Sequence, residues 1–361
     1  MAEVPLFSRH LDLGAKMGPF GGWQMPIEYP SGTVAEHQAV RNAVGIFDVS
    51  HMGKVVIKGA GAKDFVNRIL TNDLDRILPG QAQYSMLCNE SGGIIDDLIV
   101  YLVGDDEVRI VPNASNAASV VAILRASAPT GVEVIDNHLT FGIIAIQGPR
   151  SGEVLDLLGL GNNLSYMSFA DLSFAEQSVT VCRTGYTGEH GYELVAPHDV
   201  IVSLWDKALA VGESLGLIPC GLGARDTLRT EMGYVLHGQD ISPDISPVQA
   251  RTGWAVGWRK SAFSGRDALL AEKQSGPTRL AFGLIAVDRG IPRGHMSVLD
   301  SNDVVLGETT SGTFSPTLGQ GIALALLHPD VQFGQSVYVD VRGRKLACEV
   351  VKPPFVTSSV S

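Results

Sequence analysis

Apolar residues along this chain switch between a helical and an alternating period, and the switches divide it into recognisable stretches. "GTVAEHQAVRNAV", residues 32–44, predicts a helix with Gly45 as its stop, and "IFDVSHMGKVVIK" after it reads as extended. From Gly61 the helical spacing returns, with Ala62, Phe65, Val66, Ile69 and Leu70 on one face. Three β-like runs follow, "QAQYSMLCN", "IIDDLIVYLV" and "EVRIVPN", separated by the turn compositions "ESGG" and "GDD". A helix is predicted from about Ser115 to Ala126, with strands near Val132 and from Thr140 to Gln147. Hairpins this tightly spaced leave no room for βαβ crossovers, so the region is α+β.

From Gly148 to about Lys273 the style repeats, with helices at "SGEVLDLL", "DVIVSLWDKALAV" and "ARDTLRTEM" around strands at "SVTVCRT" and "YELVA". "KQSGPT", Lys273 to Thr278, is a polar Gly-Pro break. Beyond it "RLAFGLIAV", "MSVLD", "VVLGETTSG", "GIALALL", "QSVYVDV" and "KLACEVV" are short strands between turns, which predicts a final all-β barrel or sandwich.

Composition narrows the class. A chain of 361 residues exceeds the size of about 250 to 300 at which single cores stop growing, so two or three domains are expected. Hydrophobic residues at 45% and charged residues at 18% describe a soluble globular protein, and no apolar run approaches the roughly 18 residues of a membrane span. The N-terminal residues show no secretory or transit pattern, and the expectation is a cytoplasmic protein. Cys88, Cys182, Cys220 and Cys348 form no C-x-x-C pair and read as reduced, buried thiols. With 27 basic against 38 acidic residues, the charge of −11 and the lack of a basic cluster speak against nucleic-acid binding.

Candidate chemistry is sparse. Phosphate-loop, zinc-protease, nucleophile-elbow and complete dinucleotide motifs are all missing, and no histidine pair has ligand spacing, so no metal site is supported. His51 in "SHMG" reads as a packed structural histidine. Three features stand out. Asp96 and Asp97 lie side by side in an apolar strand, where neighbours point to opposite faces, so that one acid can meet solvent while the other is aimed inward. "RTGYTGEHGYELV", Arg183 to Val195, is a glycine-rich loop suited to close backbone approach around a flat ligand. "GLGARDTLRTEMGYVLHGQD" places Arg225 near the start of a helix, where its guanidinium could receive a carboxylate bidentately. Each has an ordinary alternative as a hydrogen-bonded acid, a loop or a helix cap.

Taken together, "PLFSRHLDLGAKM", "GGWQMPIEY", "GIFDVSHMG", "YSMLCNESGGIIDDLIVY", "IAIQGP", "RTGYTGEHGYELV", "GLGARDTLRTEMGYVLHGQD", "GETTSGTFSPTLGQGIALA" and "VKPPF" resemble, in order and over essentially the whole chain, the aminomethyltransferase (T-protein) family of the glycine cleavage system. The resemblance implies an α+β, three-domain cloverleaf around a central folate channel. Residues 1–55 and 139–273 would form one domain with the folate-binding loops, 56–138 a second, and 279–361 a C-terminal β-barrel. It implies tetrahydrofolate as co-substrate and the lipoylated H-protein as partner.

By the same resemblance Asp97 matches the family's catalytic aspartate beside the pterin nitrogens, and Asn113 a pterin contact. Tyr186 and Glu193 match loop positions that hold folate, Arg225 an arginine that places it, and Trp254 an aromatic near the cofactor. Tyr84 and Met52 would line the same channel. Where some members carry a Tyr after the terminal Pro-Phe, this chain has Val356.

Two other functions use related scaffolds. Folate-dependent demethylases tend to depart around the catalytic aspartate, whereas "GGIIDDLIV" is intact here; iron–sulfur assembly factors carry a "KGC" motif where this chain reads "LHGQD".

Overall fold

The computed structural model describes residues 1–360 and distributes the strands among four sheets. β1 (Ala2–Glu3), β2 (Lys16–Phe20) and β3 (Trp23–Glu28), with α1 (Phe7–Asp12) after β1, build a small sheet in the order β1-β3-β2. α2 (Thr33–Asn42) then leads into β4 (Val44–Asp48). Gly45 is therefore not a helix stop. It lies inside β4, where a Cβ would come within 2.6 Å of Val40 Cγ2 and Cys220 Sγ, so the glycine lets helix and strand close on each other.

The extended run expected after Gly45 is broken by a turn at Ser50–Met52, and β4 and β5 (Val55–Lys58) belong to different sheets. β5, α3 (Ala62–Ile69), β6 (Gln81–Cys88), β7 (Ile94–Gly104), β8 (Glu107–Pro112), α4 (Ala117–Ser127) and β9 (Glu133–Asp136) make one unit. Its sheet runs β6-β7-β8-β5-β9, antiparallel throughout. Alternation along β7 sends Leu98, Val100 and Leu102 into the core beneath α3 and α4, and Ile99 and Tyr101 to the opposite face.

β10 (Phe141–Gln147), α5 (Ser151–Leu157), β11 (Phe169–Phe174), β12 (Gln177–Cys182), β13 (Gly191–Pro197), α6 (His198–Gly212) and β14 (Leu217–Pro219) complete a sheet ordered β11-β12-β13-β10-β4-β14. β4 pairs directly with β10, so the β5–β9 unit is an insertion between two neighbouring strands. One face of this sheet buries Ile144, Ile146, Leu194 and Ala196 with Trp205 of α6. The other meets the inserted sheet: Tyr101 and Ile99 share a cluster with Cys182 and Val195. Asp97 has the parity of Ile99 and Tyr101, and so opens onto the space between the two sheets.

α7 (Leu222–Glu231) and α8 (Arg266–Ser275) follow. α8 occupies the stretch leading into the predicted break and runs through Lys273 to Gly276, whose φ of +87° ends it. β15 (Leu280–Ala286), β16 (Ser297–Leu299), β17 (Val305–Ser315), β18 (Gln320–Leu327), β19 (Ser336–Val341) and β20 (Arg344–Val351) close a barrel in the order β15-β18-β17-β16-β19-β20 around Phe282, Leu284, Ala325 and Val337.

Glu231, at the end of α7, joins the barrel to the rest. Its carboxylate accepts from Ser315 Oγ at 2.5 Å, Thr317 Oγ1 at 2.9 Å and Arg41 Nη2 at 2.7 Å, with His37 Nε2 at 3.3 Å. Burial opposes ionisation, but His37, Ser315 and Arg41 outweigh it and hold the carboxyl at about 2. The four cysteines are buried and unbridged, and among the described residues no helix is long and apolar enough to cross a membrane.

Candidate active site

The start of β7 is held from outside the sheet. Ile94 N–H is shared between the Ser242 and Ile245 carbonyls at 2.9 and 3.1 Å. Gly93 is needed for this approach, since a Cβ would collide with the Pro243 carbonyl. The segment after α7 therefore pins the strand just ahead of its two acids.

Asp96 does not face solvent, as one of the pair was expected to. It points beneath the sheet toward α4 and is fully buried. Its Oδ2 accepts from Asn113 N at 3.0 Å, and its Oδ1 from Asn113 Nδ2 at 2.9 Å and Asn116 Nδ2 at 2.7 Å. Burial, and then the charge of Asp97, push its carboxyl up to about 7 against these donors. Asp97, half-buried on the opposite face, accepts from Tyr84 OH at 3.0 Å and from Asn113 Nδ2 at 2.8 Å. Burial raises its pKa too, opposed by Tyr84, His237 and Asn113. One amide, Asn113, thus serves both acids.

Tyr84 stacks on Trp254, with ring centres 5.3 Å apart and planes at 29°. Trp254 lies on a short 3₁₀ turn and is 66% exposed. Tyr186, in the loop between β12 and β13, donates its hydroxyl to the Val235 carbonyl and stacks on Tyr234 at 5.8 Å. Arg225, in the first turn of α7, sets its guanidinium carbon 4.6 Å from the centre of the Tyr186 ring. It makes no hydrogen bond or ion pair with any described residue. Burial lowers its pKa, opposed by Glu193 and Tyr186. Glu193 accepts from Thr184 Oγ1 at 2.6 Å through one oxygen.

The loop that carries Tyr186 is anchored on several sides. Gln147 of β10 donates to the Thr184 carbonyl at 3.2 Å and accepts from Thr187 Oγ1 at 2.8 Å, and Arg41 of α2 donates to the Thr187 carbonyl at 2.7 Å. Ser359 N–H adds a bond to the Gly188 carbonyl at 2.9 Å. The glycines at 185 and 191 make room for the Gln147 side chain, with which any Cβ would collide.

Hydrogen bonds and stacking thus gather Asp97, Tyr84, Asn113 and Trp254, and ring and charge contacts gather Tyr186, Arg225 and Glu193. The two groups meet electrostatically, because Tyr186 lies within range of both Asp97 and Tyr84. Met52 stands apart, half-buried on an apolar wall with Val111 and Val195. His51 is buried and packs edge-on against Phe20 at 5.5 Å. Val356 is half-buried next to Phe355, whose N–H meets the Glu231 carbonyl at 2.8 Å. Sequence reasoning missed Asn116 and His237. Asn116 sits at an N-cap position, which hides it among ordinary capping residues.

A cavity of about 390 Å³ lies in the intersheet space, lined by Lys54, Tyr101, Arg109 and Cys182 among others, and includes none of the sequence-predicted site residues. Its Arg109 is already paired with Asp171 and Glu107. The uncommitted guanidinium, the carboxylates and the aromatic faces lie at the acid-pair end, and we place the site there.

Residues 6–260 match the GCVT N-terminal domain and residues 279–357 the glycine cleavage T-protein C-terminal barrel domain. An aminomethyltransferase of Frankia alni is 59% identical over 360 residues, 99% of each chain. One from Mycobacterium avium is 60% identical over 354 residues, covering 98% of this chain and 96% of its own. The glycine cleavage system aminomethyltransferase T of Bartonella henselae superposes with a TM-score of 0.94 at 36% identity, over 99% of this chain and 98% of that one. With both domain matches, near-complete relatives and a shared three-dimensional structure, the chain belongs to the glycine cleavage T-protein family of aminomethyltransferases.

Proposed function

We infer that this chain catalyses the aminomethyl transfer of the glycine cleavage system. The aminomethyl group carried on the lipoyl arm of H-protein passes to tetrahydrofolate, yielding 5,10-methylenetetrahydrofolate, ammonia and the reduced lipoyl arm. The observation that carries this reading is an uncommitted, half-buried arginine set over a tyrosine ring, together with an acid pair in reach of the same ring, in a chain of this family.

The side chains present fit tetrahydrofolate. A flat heterocycle finds aromatic faces at Tyr186 and Tyr84, its N–H groups find acceptors at Glu193 and Asp97, and an anionic group finds Arg225. Trp254 extends the stacking surface toward solvent. Met52 contributes apolar wall. Asn113 orients Asp97 rather than leaving it to rotate. Tetrahydrofolate supplies the amine nucleophiles; Asp97 supplies a carboxylate to hold or move a proton and to stabilise developing positive charge.

This reading includes a division of residues 1–55 and 139–273, 56–138 and 279–361 into three domains, and a cytoplasmic setting with which the unbridged cysteines agree. The deciding assay is production of ammonia and methylenetetrahydrofolate from aminomethyl-lipoyl H-protein. Turnover should require the lipoylated carrier, and demethylation of a free methylated sulfur compound would replace this reading with a demethylase.

A further inference from the structure

A continuous line of hydrogen bonds leads away from the acid pair to a histidine that no motif singled out. Asn116 Nδ2, which donates to Asp96 Oδ1 at 2.7 Å, also lies 3.0 Å from His237 Nδ1. On its other side His237 Nε2 is 3.0 Å from the Ile94 carbonyl. These contacts determine the ring's tautomer. A carbonyl can only accept, so Nε2 carries the proton; the Asn116 amide nitrogen can only donate, so Nδ1 accepts. His237 therefore holds the Asn116 amide with its nitrogen toward Asp96, from the segment that already pins Ile94.

The same bookkeeping of donors separates the two acids. Asp96 is surrounded by three N–H donors, two from Asn113 and one from Asn116, and a proton placed on it would find no acceptor there. Asp97 faces Tyr84, whose hydroxyl can donate to the anion or accept from the acid. Charged and titratable groups facing the pair come from every neighbouring element: Tyr84 on β6, His237 after α7 and Tyr186 from the β12–β13 loop, with Arg225, Arg229 and Asp240 beyond Tyr186.

We propose that His237 is a positioning residue for this reaction: acting through Asn116, it keeps Asp96 as the fixed anion of the pair, so that the site's mobile proton resides on Asp97. A fixed negative charge on the adjacent residue favours the protonated form of Asp97. Burial is the first cause that raises Asp96 and the charge of Asp97 the second; the second vanishes when Asp97 takes the proton, and the three fixed donors are what oppose the first. The proposal rests on Asp97 as the acting group of the proposed function, yet its physical content is tested without turnover.

Carboxyl-labelled aspartate in the unliganded full-length protein, followed by carbon NMR, should show Asp97 titrating and Asp96 ionised throughout between about pH 5 and 9. Asp96 titrating in that range with Asp97 already ionised overturns the proposal. His237→Leu removes the acceptor that holds Asn116 and, with the ring neutral as its two contacts require, should lower the Asp97 titration by about one pH unit; a rise would mean that the ring acts through positive charge and overturns the proposal. His237→Gln, whose amide presents an acceptor to Asn116 and a donor to Ile94, should restore it. In an Asp96→Asn background His237→Leu should add no further shift. An unchanged titration in His237→Leu, no rescue by Gln, or an additive shift in the double variant each defeats it. If His237→Leu does not fold, the titration of the unsubstituted protein still decides. Failure of aminomethyl transfer in the unsubstituted protein would strike the proposed function and leave these titrations standing. In the active enzyme, the kcat limb set by Asp97 moves to lower pH in His237→Leu while tetrahydrofolate affinity is retained.

Discussion

Arg225 and Tyr186 face each other at 4.6 Å, and Arg225 has no hydrogen-bonding partner among the described residues. A half-buried guanidinium left this way has its donors free for an incoming anion, in a chain whose net charge of −11 would otherwise repel one. Arg225→Ala should weaken tetrahydrofolate binding by about 10²-fold, the range of a desolvated charged hydrogen bond. Equilibrium binding measures it, and unchanged affinity would remove Arg225 from the site.

Asp97→Asn keeps the size of the side chain but can neither ionise nor carry the proton. We expect kcat to fall by on the order of 10² to 10⁴, the range of general acid–base groups, with a much smaller change in tetrahydrofolate affinity. Steady-state kinetics beside direct binding separates the two, and a kcat within about threefold of the parent would reduce Asp97 to a positioning role.

Asp96 lies on the helix side of the same strand and touches only amides. Asp96→Asn should therefore retain more activity than Asp97→Asn, while losing thermal stability, because the new amide turns a donor toward existing donors. Equal catalytic loss in both variants, with both folded, would mean that both acids act on substrate.

Tyr84 links the acid to Trp254. In Tyr84→Phe the stacking survives and the hydroxyl is lost, so kcat should drop by about tenfold, the value of one neutral hydrogen bond, with little change in folate binding. A large loss of affinity instead would show that the hydroxyl binds ligand directly.

Glu231 ties α7 to the barrel through a carboxyl held at about 2, below the ordinary glutamate value of 4.5. The folded value lies below the unfolded one, so its contribution is complete above about pH 4.5 and is lost as pH falls toward 2. Glu231→Gln should cost about 1 to 3 kcal/mol at neutral pH, since it removes the charge that Arg41 and His37 face while Arg41 keeps Glu189. Denaturant unfolding at pH 7 and pH 3 checks this: the difference between parent and variant should shrink at the lower pH.

Much of the architecture was legible because its signals are local. Alternation and glycine turns marked β6, β7 and β8, and the Asp96–Asp97 anomaly stood out against that regularity. The N-terminal sheet was not legible, since β1 has two residues, β2 is largely exposed, and neither carries an apolar face to betray it. α8 buries only Leu269 completely, too little to impose a helical period. Gly45 was misread because a helix stop and a close-packed strand glycine are the same letter, distinguished only by Cys220 arriving from far along the chain. Within the proposed site, residue types on motifs supplied the candidates through resemblance. The Asn116–His237 contact joins positions 121 apart, and tertiary folding alone brings them together.

The anchoring of the Tyr186 loop bears on traffic. A loop bonded to β10, to α2 and to the C-terminal segment at once behaves as a wall and not as a door, because opening it would break at least four hydrogen bonds together. We expect molecules to enter and leave on the side where Trp254 projects into solvent. The indole then acts as a turnstile: truncating it to Ala should speed association and dissociation together in stopped-flow measurements, with residence time shortened more than encounter is gained, because its stacking surface leaves with it.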